Sequence, residues 1–327
     1  MAQHPMTKKL MRDQQQTAQH KGVYVTLGEL VSLRGQGHGF SFLPKQPIHS
    51  LLSGQKVSKL RGRGLNFEEI RNYLPGDDVR NIDWKVTARM RGEAHIRVYT
   101  EERDRPVLLV VDQRINMFFG SVKYMKSVSA AYTAAIAAWR VLGVKDRVGG
   151  ILFNDHTIEE IRPGSSVKRV MQFLKTLVRF NQALNVDGDH SPNPAQLNDA
   201  LKQAARLASH DCLVVIISDM QGIDQTTQKL LTRISRHNDV IISHVFDPME
   251  QRLPDEDGLV VTDGELQLPL KGKDQTLSSA FESNYQTLYQ QVKRVLLKRD
   301  IPVIPINSAL EPIDQIQKSL GYVRRAS

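Results

Sequence analysis

Cysteine is nearly absent: Cys212 is the one thiol in 327 residues. A single chain of this kind has no disulfide framework and no cysteine metal site. Cys212, at the head of an apolar run, reads as a small core residue. Long hydrophobic stretches are missing too. The longest are strand-sized, well short of the roughly 18–20 residues of a membrane span. The opening stretch MAQHPMTKKLMRDQQQTAQHKG carries no apolar core behind its basic residues, so no secretory signal is expected. These absences point to a cytoplasmic protein. Catalytic signatures are missing as well: no Gly-x-Ser-x-Gly elbow, no His-Glu-x-x-His and no Walker lysine loop. The ten histidines are scattered. His156 and His244 fall near expected strand ends but have no Ser or Cys nucleophile in a local motif, and such histidines are ordinarily surface or satisfied core residues. Asp255, Glu256 and Asp257 read as a solvated loop. Gly35, Gly37 and Gly39 do not follow a strand, which excludes a dinucleotide fingerprint. The expectation is a protein without enzymatic activity.

What is present is an ordinary globular composition, 40% hydrophobic and 24% charged, long enough for one large or two medium domains. The net charge of +9 is uneven. Residues 1–105 hold 18 Lys and Arg against 11 Asp and Glu, and residues 106–327 hold 26 against 24. The basic excess reads either as a surface for an acidic partner or as solvated loops.

Residues 107–111 form a continuous aliphatic run that stops at Asp112, and Leu213–Ser218 repeats the design before Asp219. Such runs suit strands buried on both faces of a parallel sheet. From Pro106 onward strands and helices alternate. Strands are expected near 107–111, 147–153, 212–218, 240–246 and 301–306. Helices are expected near 122–142, 166–178, 195–209, 224–237, 276–299 and 312–320. Residues 157–161 read as a hairpin partner of 147–153, and 259–262 pairs with 265–268 across Asp263-Gly264. The fold class is α/β: a doubly wound, mostly parallel sheet over 100–327, with a basic, irregular amino-terminal region over 1–99. Within that region a short helix is expected near 24–33, and 97–100 is expected as a strand on an edge of the sheet. Carboxylates just past the carboxyl ends of parallel strands lie where open α/β sheets bind ligands, so the candidate site lies at Asp112 and Asp219.

The densest segment is 61–105, and within it RNYLPGDDVRNIDWKVTARM. Pro75-Gly76 suits a tight turn. Asp77 or Asp78 is placed to cap a helix carrying Val79, Ile82 and Val86 on one face. Arg71, Arg80, Asp83, Trp84 and Arg89 around it suggest a partly buried ion-pair cluster beside the Trp. It reads either as a recognition surface or as a brace holding the amino-terminal region to the sheet, and the brace is favoured because buried pairs usually serve geometry.

The run GRGLNFEEIRNYLPGDDVRNIDWKVTARMRGEAHIRVYTEERDRPVLLVVDQ resembles the signature of the bacterial domain-of-unknown-function family 58. The matching elements are Arg71, Tyr73, Gly76-Asp77-Asp78, Arg80, Ile82-Asp83-Trp84, Ala88-Arg89 and Glu102-Arg103. The resemblance spans about residues 22–250. It implies a von Willebrand factor A-like α/β domain and a partnership with MoxR-type AAA+ ATPases, as an adaptor or chaperone-like factor. Domains of that kind often hold Mg²⁺ at a metal-ion-dependent adhesion site built from Asp-x-Ser-x-Ser after the first strand, a Thr and a second Asp.

Asp112 and Asp219 match the two aspartates. The hydroxyl positions are taken by Arg114 and Asn116, and the place of the Thr falls near Ala195. Mg²⁺ wants hard oxygen ligands in octahedral geometry. Arg114 has five donors, no acceptor and a permanent charge, so it cannot ligate. The expectation is a degenerate adhesion site without cofactor, in which Arg114 replaces the ion and bridges Asp112 and Asp219; the alternative is an Arg114 that points to solvent. Were Mg²⁺ to bind, its ligands would be Asp112, Asn116 and Asp219. A second functional class is nucleic-acid binding through Lys56, Lys59, Arg61, Arg63 and Phe67, weakened by Glu68, Glu69, Asp77 and Asp78 following at once.

Overall fold

The computed structural model describes residues 22–36, 65–90, 93–101, 105–185, 191–251, 259–262, 267–270 and 301–320, with single positions between 279 and 290. The chain divides into two compact units. One is Pro47–Asp104; the other combines Met1–Gln46 with Arg105–Ser327. The boundary therefore differs from a simple cut at residue 99, because the first described segment belongs with the sheet. There α1 (Leu27–Ser32) starts on a capping box between Thr26 and Glu29. Val25 and Leu30 enter the core, and Trp139 Nε1 donates to the Leu30 carbonyl at 2.9 Å.

The larger unit holds a six-stranded sheet in the order β10-β7-β6-β3-β4-β5. Its strands are β3 (Pro106–Asp112), β4 (Arg147–Phe153), β5 (Ile158–Gly164), β6 (Leu213–Ser218), β7 (Asp239–Phe246) and β10 (Val303–Asn307). All neighbours are parallel except β5, which returns antiparallel along β4. The two aliphatic runs are buried on both faces. Val107, Leu109 and Val111 of β3 and Leu213, Val215 and Ile217 of β6 enter one core. Leu108, Val110, Val214 and Ile216 enter the other. That split follows from the two-residue period of a strand.

The first core is covered by α1, α3 (Lys126–Gly143), α4 (Val167–Gln182) and α7 (Pro312–Ser319). The second is covered by α5 (Gln196–Leu207) and α6 (Gln225–Ile234). The central helix α3 is buried nearly all round, as a helix of alanine and β-branched residues beneath other helices should be. This is the α/β class expected, with a sheet and flanking helices consistent with a von Willebrand factor A-like fold. Helices and strands fall within a few residues of their expected places. Most of the helix expected over 276–299, and the turn at Asp263-Gly264, lie outside the described residues. The strands flanking that turn, β8 (Leu259–Thr262) and β9 (Gln267–Leu270), pair antiparallel. Among the described residues, no helix is long and apolar enough to cross a membrane.

The smaller unit is not irregular throughout. β1 (Leu65–Asn72) and β2 (His95–Glu101) pair antiparallel from Leu65 with Glu101 to Asn72 with His95, the register shifting between Phe67 and Glu69. Residues 97–100 thus pair with β1 and are not a strand of the six-stranded sheet.

Candidate functional site

Strand β3 has β4 on one side and β6 on the other. The chain leaves β3 toward β4 and later returns to β3's other flank, so the carboxyl ends of β3 and β6 border the point where strand order reverses. Open α/β sheets have their crevice at such a point. Asp112 ends β3 and Asp219 follows β6, and both are buried.

Arg114 lies between the two loops, with 1% of its surface exposed. Its Nε donates to Asp112 Oδ1 at 3.0 Å and its Nη2 to Oδ2 at 2.7 Å, a two-pronged pair that fixes the guanidinium plane. Two further donors meet backbone carbonyls: Nη1 to Pro194 at 3.3 Å and Nη2 to Gln221 at 3.0 Å. Asp219 Oδ1 is 4.0 Å from Nη2. Arg114 is therefore hydrogen-bonded to Asp112 and only in electrostatic reach of Asp219. The Phe153 ring lies below the guanidinium, 5.5 Å from its carbon.

The nearest countercharge of Asp219 is Lys126, the first residue of α3. Its Nζ donates to Asp219 Oδ2 at 2.8 Å and also to Glu250 Oε1. Asn116 Nδ2 donates to the same Oδ2 at 2.7 Å, so Asn116 offers its amide hydrogen, not its carbonyl, to this carboxylate. Ser218 Oγ donates to Asp112 Oδ2 at 2.7 Å and accepts from the Met220 amide at 2.9 Å. Asp155 accepts the amides of Ile115 and Asn193 at 2.7 and 2.9 Å, tying the loops after β3 and before α5 together.

Local backbone makes this convergence possible. Gly222 sits at φ +88°, and a Cβ there would meet the Pro194 carbonyl oxygen at 2.7 Å. The 219–222 loop thus closes on residue 194, and the carbonyls of Gln221 and Pro194 reach the same guanidinium. Ala195, where the adhesion-site threonine would fall, caps α5 without a side-chain hydrogen bond. Met220, fully buried, is held at φ 61°, a left-handed conformation that costs a non-glycine residue on the order of 1–2 kcal/mol.

The charges are mutually set. Burial opposes ionisation of Asp219, but Lys126 and Arg114 outweigh it and hold the carboxyl down at about 2. Burial likewise opposes the charge on Lys126, yet Asp219 and Glu250 hold its ammonium above the usual lysine range. Glu250 moves the other way: burial raises it, and Lys126 offsets this only in part. Burial pushes the His244 imidazole down, although Asp219 pulls it up.

This donor set does not fit the Mg²⁺ of an adhesion site. The position of the ion is lined by a guanidinium and an ammonium, which a divalent cation would meet as repulsion. Among the described residues no three His, Cys, Asp or Glu side chains converge as metal ligands. Sequence reasoning named Asp112, Arg114, Asn116 and Asp219 but missed Lys126, Ser218, Glu250 and Asp155. One signal was available for Lys126: a cation in the first turn of a helix opposes the helix dipole, so an apolar helix opening on Lys calls for a carboxylate partner.

The motif segment of the smaller unit forms a second constellation. Arg71 grips Asp77 with two hydrogen bonds of 2.8 Å, and Asp77 also accepts the Leu74 amide. Asp77 N–H closes the turn onto the Leu74 carbonyl at 3.0 Å with Gly76 at φ +108°, the conformation a glycine supplies after proline. Asp78 caps a 3₁₀ turn, Val79–Asn81, and Asp83 caps α2 (Trp84–Arg89). One helix with Val79, Ile82 and Val86 on a face is thus replaced by two short ones, because Asp83 takes up an extended cap conformation between them. Asp83 pairs with Arg97 of β2 at 2.6 Å and not with Arg80 or Arg89. Hydrogen bonds from Arg71 and Arg97 hold Asp77 and Asp83 below the ordinary carboxylate range. Tyr73 is half-buried. Trp84 is 69% exposed, so the cluster is not packed beneath it. Side chains of Lys56, Lys59, Arg61, Arg63, Phe67, Glu68 and Glu69, together with residues Glu102 and Arg103, lie outside the described residues.

The family described as "Protein of unknown function DUF58" matches residues 69–291 of the chain. Relatives include Uncharacterized protein Rv1480 of Mycobacterium tuberculosis and Uncharacterized protein Mb1516 of Mycobacterium bovis. Each is 31% identical over 222 residues, which is 68% of this chain and 67% of the relative. The matched span takes in both the turn-and-cap motif of residues 71–89 and the charged crevice between β3 and β6, and the chain belongs to the DUF58 family.

Proposed function

We propose that the protein is a non-enzymatic, protein-binding adaptor or chaperone-like factor that acts with a MoxR-type AAA+ ATPase. Its contact surface is the carboxyl edge of the six-stranded sheet. The observation that carries this reading is the self-contained charge network at that edge. Arg114 and Lys126 stand where an adhesion site of this fold would present a metal, and their donors are engaged by Asp112, Asp219, Glu250 and two carbonyls. Such a network braces the loops that form a contact surface, and its one hydroxyl, Ser218, is fully buried against an Asp112 already held by Arg114. The partner then meets a rigid rim with no resident Mg²⁺. A cytoplasmic location goes with this reading and is supported by the single buried thiol.

Two measurements test it. Calorimetric titration with Mg²⁺ and Mn²⁺ should show no micromolar site; one that vanishes on Asp112→Ala overturns the metal-free reading. Purified MoxR-type ATPase from the same genome should bind the full chain. Val122, in the connection from β3 to α3, is exposed, and that binding should weaken at least tenfold on Asn116→Ala with Val122→Asp, while the fold is kept. Undiminished binding moves the interface elsewhere.

A further inference from the structure

The motif residues of the smaller unit sort into two groups. Arg71, Asp77, Asp78 and Asp83 are engaged internally, in the ion pairs and caps that shape the connection between β1 and β2. Arg80, Trp84, Lys85 and Arg89 are not. All four are exposed, and none pairs with a described residue. Thr87 Oγ1 accepts the His95 amide at 3.0 Å, so that side of α2 faces β2. Lys85 and Arg89, one turn apart, share another face. In the same segment Leu74, Val79 and Met90 each show more than half of their surface to solvent. Folding does not account for a displayed Trp in a short segment that also displays aliphatic side chains and free cations. Trp and Arg are the residues that most often anchor protein interfaces.

We propose that residues 73–90, in the connection between β1 and β2, are a docking surface for an acidic protein segment that carries apolar side chains. Charge complementarity selects the occupant. Three unpaired cations call for carboxylates, and Leu74, Val79, Trp84 and Met90 call for apolar side chains set between those carboxylates. Nucleic acid fits less well, because bases stack on aromatic rings and three of the four apolar side chains are aliphatic. An anionic membrane is the competing occupant that the vesicle probe distinguishes. The surface belongs to the smaller unit, and the proposal stands whether or not the carboxyl edge of the larger unit binds a partner.

The test uses the full-length chain and four probes: a random glutamate–tyrosine copolymer, poly-glutamate, vesicles of phosphatidylcholine with phosphatidylglycerol, and oligo-dT. Trp139 is 5% exposed, so a change in tryptophan emission reports on Trp84. The copolymer is expected to shift that emission to the blue and to bind at least tenfold more tightly than poly-glutamate. Trp84→Ala, and separately the triple variant Arg80→Glu/Lys85→Glu/Arg89→Glu, should each weaken copolymer binding more than tenfold. Both alter exposed side chains without internal bonds, so their circular dichroism should match the parent. Copolymer binding that both variants retain overturns the proposal. So does a Trp84 response to vesicles or oligo-dT that the copolymer does not give, or no response to any probe.

Discussion

Arg114 is the residue on which the crevice turns. Removing one partner of a buried ion pair strands the other, at a cost of roughly 3–5 kcal/mol. Arg114→Ser, which restores an adhesion-site hydroxyl, should therefore lower unfolding free energy by about that amount in urea titrations without divalent ions. Arg114→Met with Asp112→Leu, which removes both charges, should be closer to the parent than either single change. Near-additive losses would show that the pair is not coupled. A second prediction concerns acid. The Asp219 carboxyl is held near 2 against 3.8 for a free aspartate. A lowered folded value stabilises the fold above the unfolded one and is lost as pH falls through the folded one. About 2 kcal/mol should thus be present above pH ~4 and disappear toward pH ~2. Asp219→Asn should flatten that acid limb. Glu250 has the opposite sign: its raised value means that ionising it costs stability as pH rises, so Glu250→Gln should remove a loss. A steeper acid limb in Asp219→Asn would contradict the assignment.

Loops and caps bring these side chains together, and the 219–222 loop is the most constrained of them. An alanine at 222 would carry a Cβ into the Pro194 carbonyl while holding φ near +88°. Gly222→Ala should cost more than ~1 kcal/mol, because the native conformation is one that alanine resists. In a unit of this size that is a fall of roughly 2–4 °C per kcal/mol in melting temperature; an unchanged midpoint would mean the loop has room to shift. Helix α4 contributes a quieter link. Asn181 accepts the Val25 amide at 2.8 Å and donates to Gln113 at 3.0 Å, joining the segment before α1 to the residue after Asp112. Much of this scale was legible in the sequence. A run of aliphatic residues ending in Asp is a strand end whatever follows, and the periodicity of 126–143 and 167–182 reports buried faces directly. Arg114 as a cation in the crevice was legible because guanidinium chemistry excludes ligation. The partners supplied by Lys126 and Glu250 were not, since ion pairs between positions 93 and 124 residues apart leave no periodic trace. Nor was the exposure of Trp84, because a large aromatic beside charges resembles a core anchor until a cap at Asp83 turns the helix outward.

Two units of unequal core share the chain, and their stabilities should differ accordingly. The larger has two apolar clusters, one on each face of a six-stranded sheet. In the smaller, Ile96 is the one buried apolar residue among those whose side chains are described, and a two-stranded sheet is marginal in water without further packing. The ion pairs described there each have at least one partner that is exposed or half-exposed, and such pairs contribute modestly. Local opening free energies follow buried apolar contacts. The amides that join β2 to the motif segment, such as Asp83 to the His95 carbonyl and Tyr73 to the Ala94 carbonyl, should open well below the global unfolding free energy. Hydrogen exchange followed by mass spectrometry on the intact chain should show peptides covering β1 and β2 exchanging at least ~100-fold faster than those covering β3 and β6. The copolymer probe should narrow that gap, because a ligand that binds only the closed form stabilises it by mass action. Equal protection of the two units in the free protein would mean that they open together, and the motif segment would then owe its order to more than its own ion pairs and caps.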